Sequence, residues 1–486
     1  MARKPAEPPA PPSTPPPPAP PSGTVGAFFA RSLASDVRTA HGPMTANTLD
    51  AAENLGDPRG FIPWGNIAIR RAVGVDFPLG RIVEVSGFED VGKSTFLDQL
   101  LASVQRQPGI GVLADIERTR RRDHMVALGI NPESLIWTKG NTVESMFEQW
   151  ETLIHRSIHA NNVAWAESLV RSGIKVGALP TKVFAVFDPD VPKNKRKKPV
   201  ASWNIVQWST SARAALIQYQ EREGLNPTGI RDAATSARLR PCVIGPENGT
   251  AEHAEALYNW TNGIADPRVV SADIPIALGW DSVGGTATEK ELEGSARDVN
   301  PATAAKVIRL NLRRLVQLLD DAALGAFFVN QRYANINMDF KDRFKPDDES
   351  YGGGGLKFHA SVRMKVERRG SIWASASAKE AGEPPIGHEV LIDVVKNKFG
   401  GSHRKATCGL IYGRGFVDAY AIFADLNDAG IIKSSGGWYA FTDPTILPSV
   451  GAANKSWQGG WAGMENLMTE TPGLEAKLTA LYLERG

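Results

Sequence analysis

The sequence predicts an α/β fold built on a mostly parallel central sheet, and three observations carry that prediction. The first is a strand–loop–helix–strand run. Gly80 to Gly87 (GRIVEVSG) is a buried-strand pattern ending in glycine, residues 94–107 (STFLDQLLASVQRQ) read as a helix, and Gly109 to Glu117 (GIGVLADIE) read as a second strand. Such a unit opens a parallel sheet with a crossover helix. The second is an apolar strand that ends in acid, Ile274 to Ser282 (IPIALGWDS). The third is a helix-to-strand step: Ala304 to Ala323 has a clear helical period and leads into Gly325 to Gln331 (GAFFVNQ). His388 to Phe399 and Ala406 to Tyr412 alternate or run apolar and read as later strands, with an antiparallel arrangement open.

The rest of the chain divides around that sheet. Residues 1–22 are proline-dominated and read as a disordered, extended tail, with a docking ligand for a proline-binding partner as the functional alternative. In the following segment, 23–60, Val25 to Thr39 can form a short amphipathic helix. A lone helix must pack on something, either its own core or a neighbouring subunit. The core is expected over 61–430 and a small α+β C-terminal domain over 431–486. Between about 160 and 272 the character changes, and the segment reads as an inserted subdomain. Lys182 to Val191 can be a strand there, and the basic run Lys193 to Pro199 (KNKRKKP) follows it.

Composition narrows the function classes. Hydrophobic residues make up 42% of 486, enough for a globular core, and the formal charge of +2 points to no nucleic acid by itself. Only local basic patches can do that. Two distant cysteines, Cys242 and Cys408, fit a reducing compartment and have no zinc-site spacing. No apolar run reaches the ~18 residues of a membrane span, and the basic, proline-rich start has no signal-peptide apolar region. The expectation is a soluble, cytoplasmic protein with no membrane partner.

Gly87-Phe88-Glu89-Asp90-Val91-Gly92-Lys93-Ser94 fits GxxxxGK followed by serine or threonine, and it lies after a strand and before a helix, where that motif must lie. Small residues let backbone N–H groups close around a β-phosphate, and the helix N-terminus adds positive potential. Lys93 would neutralise the β- and γ-phosphates of ATP, with Thr95 beside them, and the Ser94 hydroxyl would complete a magnesium shell. Asp281, at the end of its apolar strand, is the natural second magnesium contact, unless it merely caps a helix. Glu117, ending the neighbouring strand, can face the γ-phosphate and orient or deprotonate the attacking water.

Taken together these residues resemble the RecA recombinase family from about Gly60 to Trp438, interrupted by the insertion. GRIVEVSGFEDVGKST, LADIERTRRRDHMVALGI, WDSVGG followed by KELEG, and FFVNQ are similar to the family's ATPase strands. GGGGLKFHASVRMKVERRG and VVKNKF are the more particular pieces, and GGWYAF resembles the lead-in to its C-terminal domain. The resemblance implies a RecA-like P-loop ATPase core with an N-terminal oligomerisation segment. It implies Glu117 as catalytic carboxylate and Gln331 as the switch coupling γ-phosphate to DNA. Lys396 and Lys398 would reach the nucleotide of the adjacent subunit, with Phe358 transmitting the subunit contact. It also implies loops facing a filament axis, with Arg332, Gly352, Gly353, Gly354, Gly355, Lys357 and Arg363 contacting single-stranded DNA. Its partners would then be single-stranded DNA, homologous duplex, further copies of the chain, and mediator or single-strand-binding proteins. Association with the nucleoid would follow, or with a host cytoplasm for a viral protein.

The departures from the family pattern are specific. His124 stands where the family carries an aromatic to stack on adenine, within a run of arginines that includes Arg118, Arg120, Arg121 and Arg122. The second DNA loop carries Asp347, Asp348 and Glu349. The interval from Glu117 to Asp281, about 160 residues, far exceeds a crossover. Its basic run can be a solvated loop or a holder of duplex DNA. Two rival functions share the same ATPase core: a ring-forming DNA helicase or motor, and a DNA-coating scaffold filament with little turnover.

Overall fold

The computed structural model describes residues 58–486 except 108, 187–197, 228–230, 232, 245–249, 263, 265–268, 294–300, 321, 323, 335–347, 351–353, 444, 447–455 and 486. The proline-rich tail, the helix expected from Val25 to Thr39, most of the KNKRKK run, Asp347, Gly352 and Gly353 lie outside the described residues.

The main sheet is built from nine strands in series: β1 Ile82–Gly87, β2 Ile110–Asp115, β3 Leu135–Thr138, β4 Ile276–Asp281, β5 Leu324–Ala334, β6 Val362–Ile372, β7 Gly387–Asn397, β8 Lys405–Ile411 and β9 Gly415–Val417. Across the sheet they run β9-β8-β7-β6-β1-β5-β4-β2-β3, and Asp348–Ser350 adds a short antiparallel pairing on β5. From β3 to β6 every junction is parallel, and β7, β8 and β9 extend the edge antiparallel. The mostly parallel α/β sheet expected from the sequence is therefore the architecture found. Strands β3, β6 and β9 are additions to those the sequence predicts. β6 is the informative one, because Val362, Met364 and Val366 alternate inward while charged residues separate them.

Helices cover both faces, which is why the parallel strands read as nearly continuous apolar runs. The period of two sorts the residues. Val83 and Val85 of β1 face one apolar layer with Leu97, Leu100 and Leu101 of α1 (Lys93–Arg106), while Ile82 faces the other. That second layer takes Ile276, Leu278 and Trp280 of β4 against α2 (Val143–Arg171) and α3 (Pro301–Asp320). Its centre is aromatic: the Trp150 and Trp280 rings meet edge to face at 5.5 Å, a favoured geometry. The first layer runs on without a break into the C-terminal strands and helices through Ile422, Leu426, Trp457, Leu474 and Leu478.

The insertion leaves the core along α2. A Thr142–Ser145 capping box starts this helix, and its first half packs on the sheet through Val143, Met146, Phe147 and Trp150. Its second half instead holds Ala164, Trp165 and Leu169 in a separate small core with Ala215, Leu216, Tyr219 and Ala272. Two hairpins, Thr181–Val186 with Ala201–Val206 and Cys242–Ile244 with Val269–Ser271, form sheets of their own. None of these strands joins the main sheet.

Candidate functional site

Strand β1 delivers the glycine-rich loop to the C-terminal edge of the sheet, where α1 begins. Gly92 is the N-cap of α1 at φ 85°, and a side chain there would run into Phe416 at 2.8 Å. Gly87 is closed in as tightly, since a Cβ would lie 2.6 Å from the Val366 carbonyl. Glycine at both positions is thus required by packing, and at Gly92 also by backbone conformation. The loop leaves the first N–H groups of α1 facing a cleft of 620 Å³. Glu89, Asp90, Val91, Gly92, Lys93, Ser94, Thr95, Glu117, Asp281 and Gln331 all line it. Gly87 lies beneath the loop, and Phe88 is 44% exposed at its rim.

Within the cleft the predicted polar residues are already bonded to one another. The Lys93 ammonium donates to the Phe88 carbonyl at 2.5 Å. Burial lowers its pKa, opposed by Asp281, Glu117, Glu89 and Asp90. Ser94 donates its hydroxyl to Oδ2 of Asp281 at 2.6 Å. Glu117 lies across from them, its Oε1 accepting from the Ser282 hydroxyl at 2.8 Å and from Nε2 of Gln331 at 3.0 Å. A hydroxyl and a carboxylate in contact form a hard-oxygen pair of the kind magnesium takes up alongside phosphate oxygens. Among the described residues no group of three or more His, Cys, Asp or Glu side chains is arranged to hold a metal. Ser94 and Asp281 offer two oxygen donors, which fits a metal shared with a phosphate ligand.

Residues that sequence reasoning missed complete the site. Arg120 sends its guanidinium into the floor, donating to Asp98 at 2.7 Å, Asp115 at 3.2 Å and Asp281 Oδ2 at 2.8 Å. Burial alone would lower its pKa, but Asp98 and Asp281 outweigh it and raise the pKa. The sequence signal was Asp98 itself, an acid on the apolar face of the α1 pattern, which demands a cation. On the opposite wall are Arg368, His388 and Tyr412; the tyrosine hydroxyl lies 3.3 Å from His388 Nδ1 and 3.5 Å from Arg368. Burial lowers the His388 pKa, Arg368 lowers it further, and Asp90 opposes both. His124 is exposed on the short helix Arg122–Ala127 and is not among the lining residues, whereas the half-exposed Tyr412 is.

The remaining predicted residues lie elsewhere on the sheet. Lys396 pairs in register with Arg363, which pairs with Glu84, three residues before Gly87 and so about 10 Å from the loop end of β1. Lys396 donates to the carbonyls of Lys357 and Phe358 at 2.8 and 3.0 Å, capping the helix Gly354–His359. Burial lowers its pKa, and Lys398 and Arg363 lower it further. Lys357, Lys398 and Phe358 are exposed, Phe358 at 72%. Gly354 and Gly355 open that helix, with Gly355 buried against Arg309 of α3. Arg363 is engaged by the buried carboxylate of Glu84. Arg332, next after Gln331, is buried with its guanidinium 5.3 Å from the ring centre of Phe88. Burial lowers its pKa, opposed by Glu367.

A glycine-rich loop between a strand and a helix of a mostly parallel sheet, with a strand-end carboxylate bonded to the loop serine, defines a P-loop nucleotide-binding α/β protein. The family model for the RecA N-terminal domain matches residues 52–164 and 260–417, more than half of the chain. The chain belongs to the RecA family. The unmatched interval falls where α2 departs into its separate small core. Among curated relatives, the protein RecA of Corynebacterium urealyticum is 24% identical over 396 residues, covering 80% of this chain and 72% of that protein. The RecA proteins of Fusobacterium nucleatum and Dichelobacter nodosus are 30% and 32% identical over 183 and 166 residues, or 38% and 34% of this chain. The chain spans 45% and 44% of those two proteins.

Proposed function

We propose that this chain is an ATP-dependent DNA recombination protein: it assembles as a helical filament on single-stranded DNA, hydrolyses ATP there, and pairs the bound strand with homologous duplex. The observation that carries the reading is the hydrogen bond from Gln331 to Glu117. It joins Glu117, the carboxylate read as activating water, to β5, the strand that runs into residues 332–345, the first of the two loops expected to hold DNA.

The glycine-rich loop and the first amides of α1 would hold the phosphates of ATP, and Ser94 and Asp281 would hold magnesium, which supplies charge neutralisation when bound. Lys93 would leave the Phe88 carbonyl for the β- and γ-phosphate oxygens. Its charge would stabilise the bridging oxygen as the bond to the γ-phosphorus breaks. Glu117 would accept the proton of the water whose oxygen forms the new bond to that phosphorus. Gln331 then reports the γ-phosphate to the DNA loop by exchanging its bond to Glu117 for one to phosphate. Lys396, half-buried against the helix Gly354–His359, and the exposed Lys398 do not line the cleft of their own chain. That placement supports a role at the nucleotide of an adjacent subunit, as in-trans cations that act only in the assembled filament.

The ATPase rate with and without single-stranded DNA, for the wild type and for Lys396→Ala/Lys398→Ala, tests this reading. Strong stimulation by DNA, lost in the double variant with nucleotide binding retained, is the expected result. A DNA-independent rate indifferent to both lysines would overturn it.

A further inference from the structure

The strand-end carboxylate Asp281 has two neighbours on a single oxygen. Oδ2 accepts from Ser94 at 2.6 Å and from Arg120 at 2.8 Å. The other arms of the same guanidinium are fixed by Asp98 on α1 and Asp115 at the end of β2, and the side chains of all four charged residues are at most 5% exposed. Three buried carboxylates thus converge on one guanidinium. A guanidinium is a planar fork whose donors have fixed mutual geometry, so anchoring two arms determines where the third points.

We propose that Arg120 is a positioning residue for the metal-binding carboxylate: held by Asp98 and Asp115, it fixes the side chain of Asp281 in the orientation that meets the cation beside Ser94. This rests on the ATP–magnesium reading above. The network spans three elements, α1, β2 and β4, so the orientation of Asp281 is set from behind by rigid parts of the fold. A lysine at the same place would keep the charge but lose the fork. It could serve one or two of the carboxylates at a time, leaving Asp281 free to turn. A simple structural cross-link makes a different prediction, namely that stability changes while metal binding by the folded protein does not.

The test measures metal and nucleotide binding separately on the full-length chain. Manganese(II) binding is followed by electron paramagnetic resonance in the presence of a non-hydrolysable ATP analogue, and a fluorescent ATP analogue is titrated in EDTA. The variants are Arg120→Lys and the apolar pair Asp98→Leu/Arg120→Leu, which keeps the net charge and removes the buried ion pair together. We expect manganese affinity to fall about 10- to 100-fold in both, the range seen when the partner that orients a metal ligand is lost. Metal-free nucleotide binding should stay within about twofold of the wild type. Wild-type manganese affinity in either folded variant would overturn the proposal. Should one variant fail to fold, the other decides. A wild-type chain that binds the fluorescent analogue but recruits no manganese would overturn the proposal and the magnesium part of the ATPase reading. A chain that binds no nucleotide would overturn both readings entirely.

Discussion

Two arginines, Arg120 and Arg363, pair with buried carboxylates, and their surroundings differ instructively. Arg120 lies under the cleft, where it gathers carboxylates from α1, β2 and β4. Arg363 lies toward the other end of β1. It bonds the fully buried Glu84, which also accepts from Asn330 at 2.9 Å. Register sets Glu84 beside Phe328 of β5 and Arg363 of β6, so this network crosses three adjacent strands side chain to side chain. The first network lies at the cleft, through Asp281. The second connects Asn330, the neighbour of Gln331, to Arg363, the register partner of Lys396. Charge is buried in both places at an energetic cost that apolar residues would avoid. What each network gains is placement: one orients a carboxylate at the cleft, the other joins the strand of the proposed switch to the strand of the proposed in-trans lysines.

The sharpest way to break this division is to separate its two ends. Glu117→Gln should lower the DNA-stimulated ATPase by about 10²- to 10⁴-fold with nucleotide binding retained, the usual worth of a general base. Mixing it with Lys396→Ala/Lys398→Ala, itself inactive, should restore up to about a quarter of the wild-type rate. Random head-to-tail assembly pairs an intact cleft with intact lysines at that fraction of interfaces. A mixture no faster than its parents would mean that both ends serve the same cleft.

The Arg363 network makes a stability prediction of similar size. Glu84→Ala removes the buried carboxylate that Arg363 and Asn330 share, and urea denaturation should show a loss of about 3–5 kcal/mol. The paired change Glu84→Leu/Arg363→Met should be much milder, because both charges leave together. Equal destabilisation by the two would mean that packing at Glu84, not charge, is what matters there.

Much of this was legible in the sequence, for a physical reason that also marks the limit. The glycine-rich loop, Asp281 and Glu117 end or follow strands, so a buried-strand pattern that stops at an acid or a glycine puts each of them on one edge of a parallel sheet, and Gln331 of β5 lies in register with Gly87 there. The structure gathers that set into one cleft. Arg120 escaped because its role depends on two acids remote in sequence, Asp98 and Asp281. A run of four arginines looks like solvated charge until burial is known, and Arg121 beside it is indeed exposed. Tyr412 and His388 escaped because they reach the cleft only through β7 and β8, whose order in the sheet has no sequence signal. Strand β6 escaped because Arg363, Lys365 and Glu367 disguise its apolar alternation. Glu84 buried at the centre of β1 was the hint that one of those charges turns inward.

A weaker network tests whether burial without a strong cation is tuned differently. Asp418, at the start of the helix Asp418–Asp428, accepts from the Ile67 amide at 3.0 Å, and burial pushes its pKa up to about 6. The folded state thus holds the proton more tightly than the unfolded chain. The contribution to stability is complete below the ordinary carboxylate range and is lost as pH rises toward and through about 6. Asp418→Asn should therefore stabilise the protein at pH 7.5 by about 3 kcal/mol and flatten its stability between about pH 4 and 7. Thermal melts across that range check it, and an unchanged slope would show that the shift in Asp418 is not the source.

The smallest effect concerns the direct contact between the nucleotide loop and β5. Phe88 stands at the loop's second position with the Arg332 guanidinium 5.3 Å from its ring centre. Arg332 follows Gln331, so this contact ties the glycine-rich loop to the strand of the proposed switch by a route independent of Glu117. Phe88 is 44% exposed, which places the interaction at the weak end of its class, about 0.5–1 kcal/mol. A double-mutant cycle of Phe88→Leu with Arg332→Met, measured by urea denaturation, should return a coupling of that size. The same cycle measured on nucleotide affinity, with and without single-stranded DNA, asks what the contact is for. If DNA reaches the cleft through β5, the coupling should change when DNA is present. If it is the same in both conditions, the ring and the guanidinium are packing partners, and communication between the two ends falls to Gln331 and Glu117.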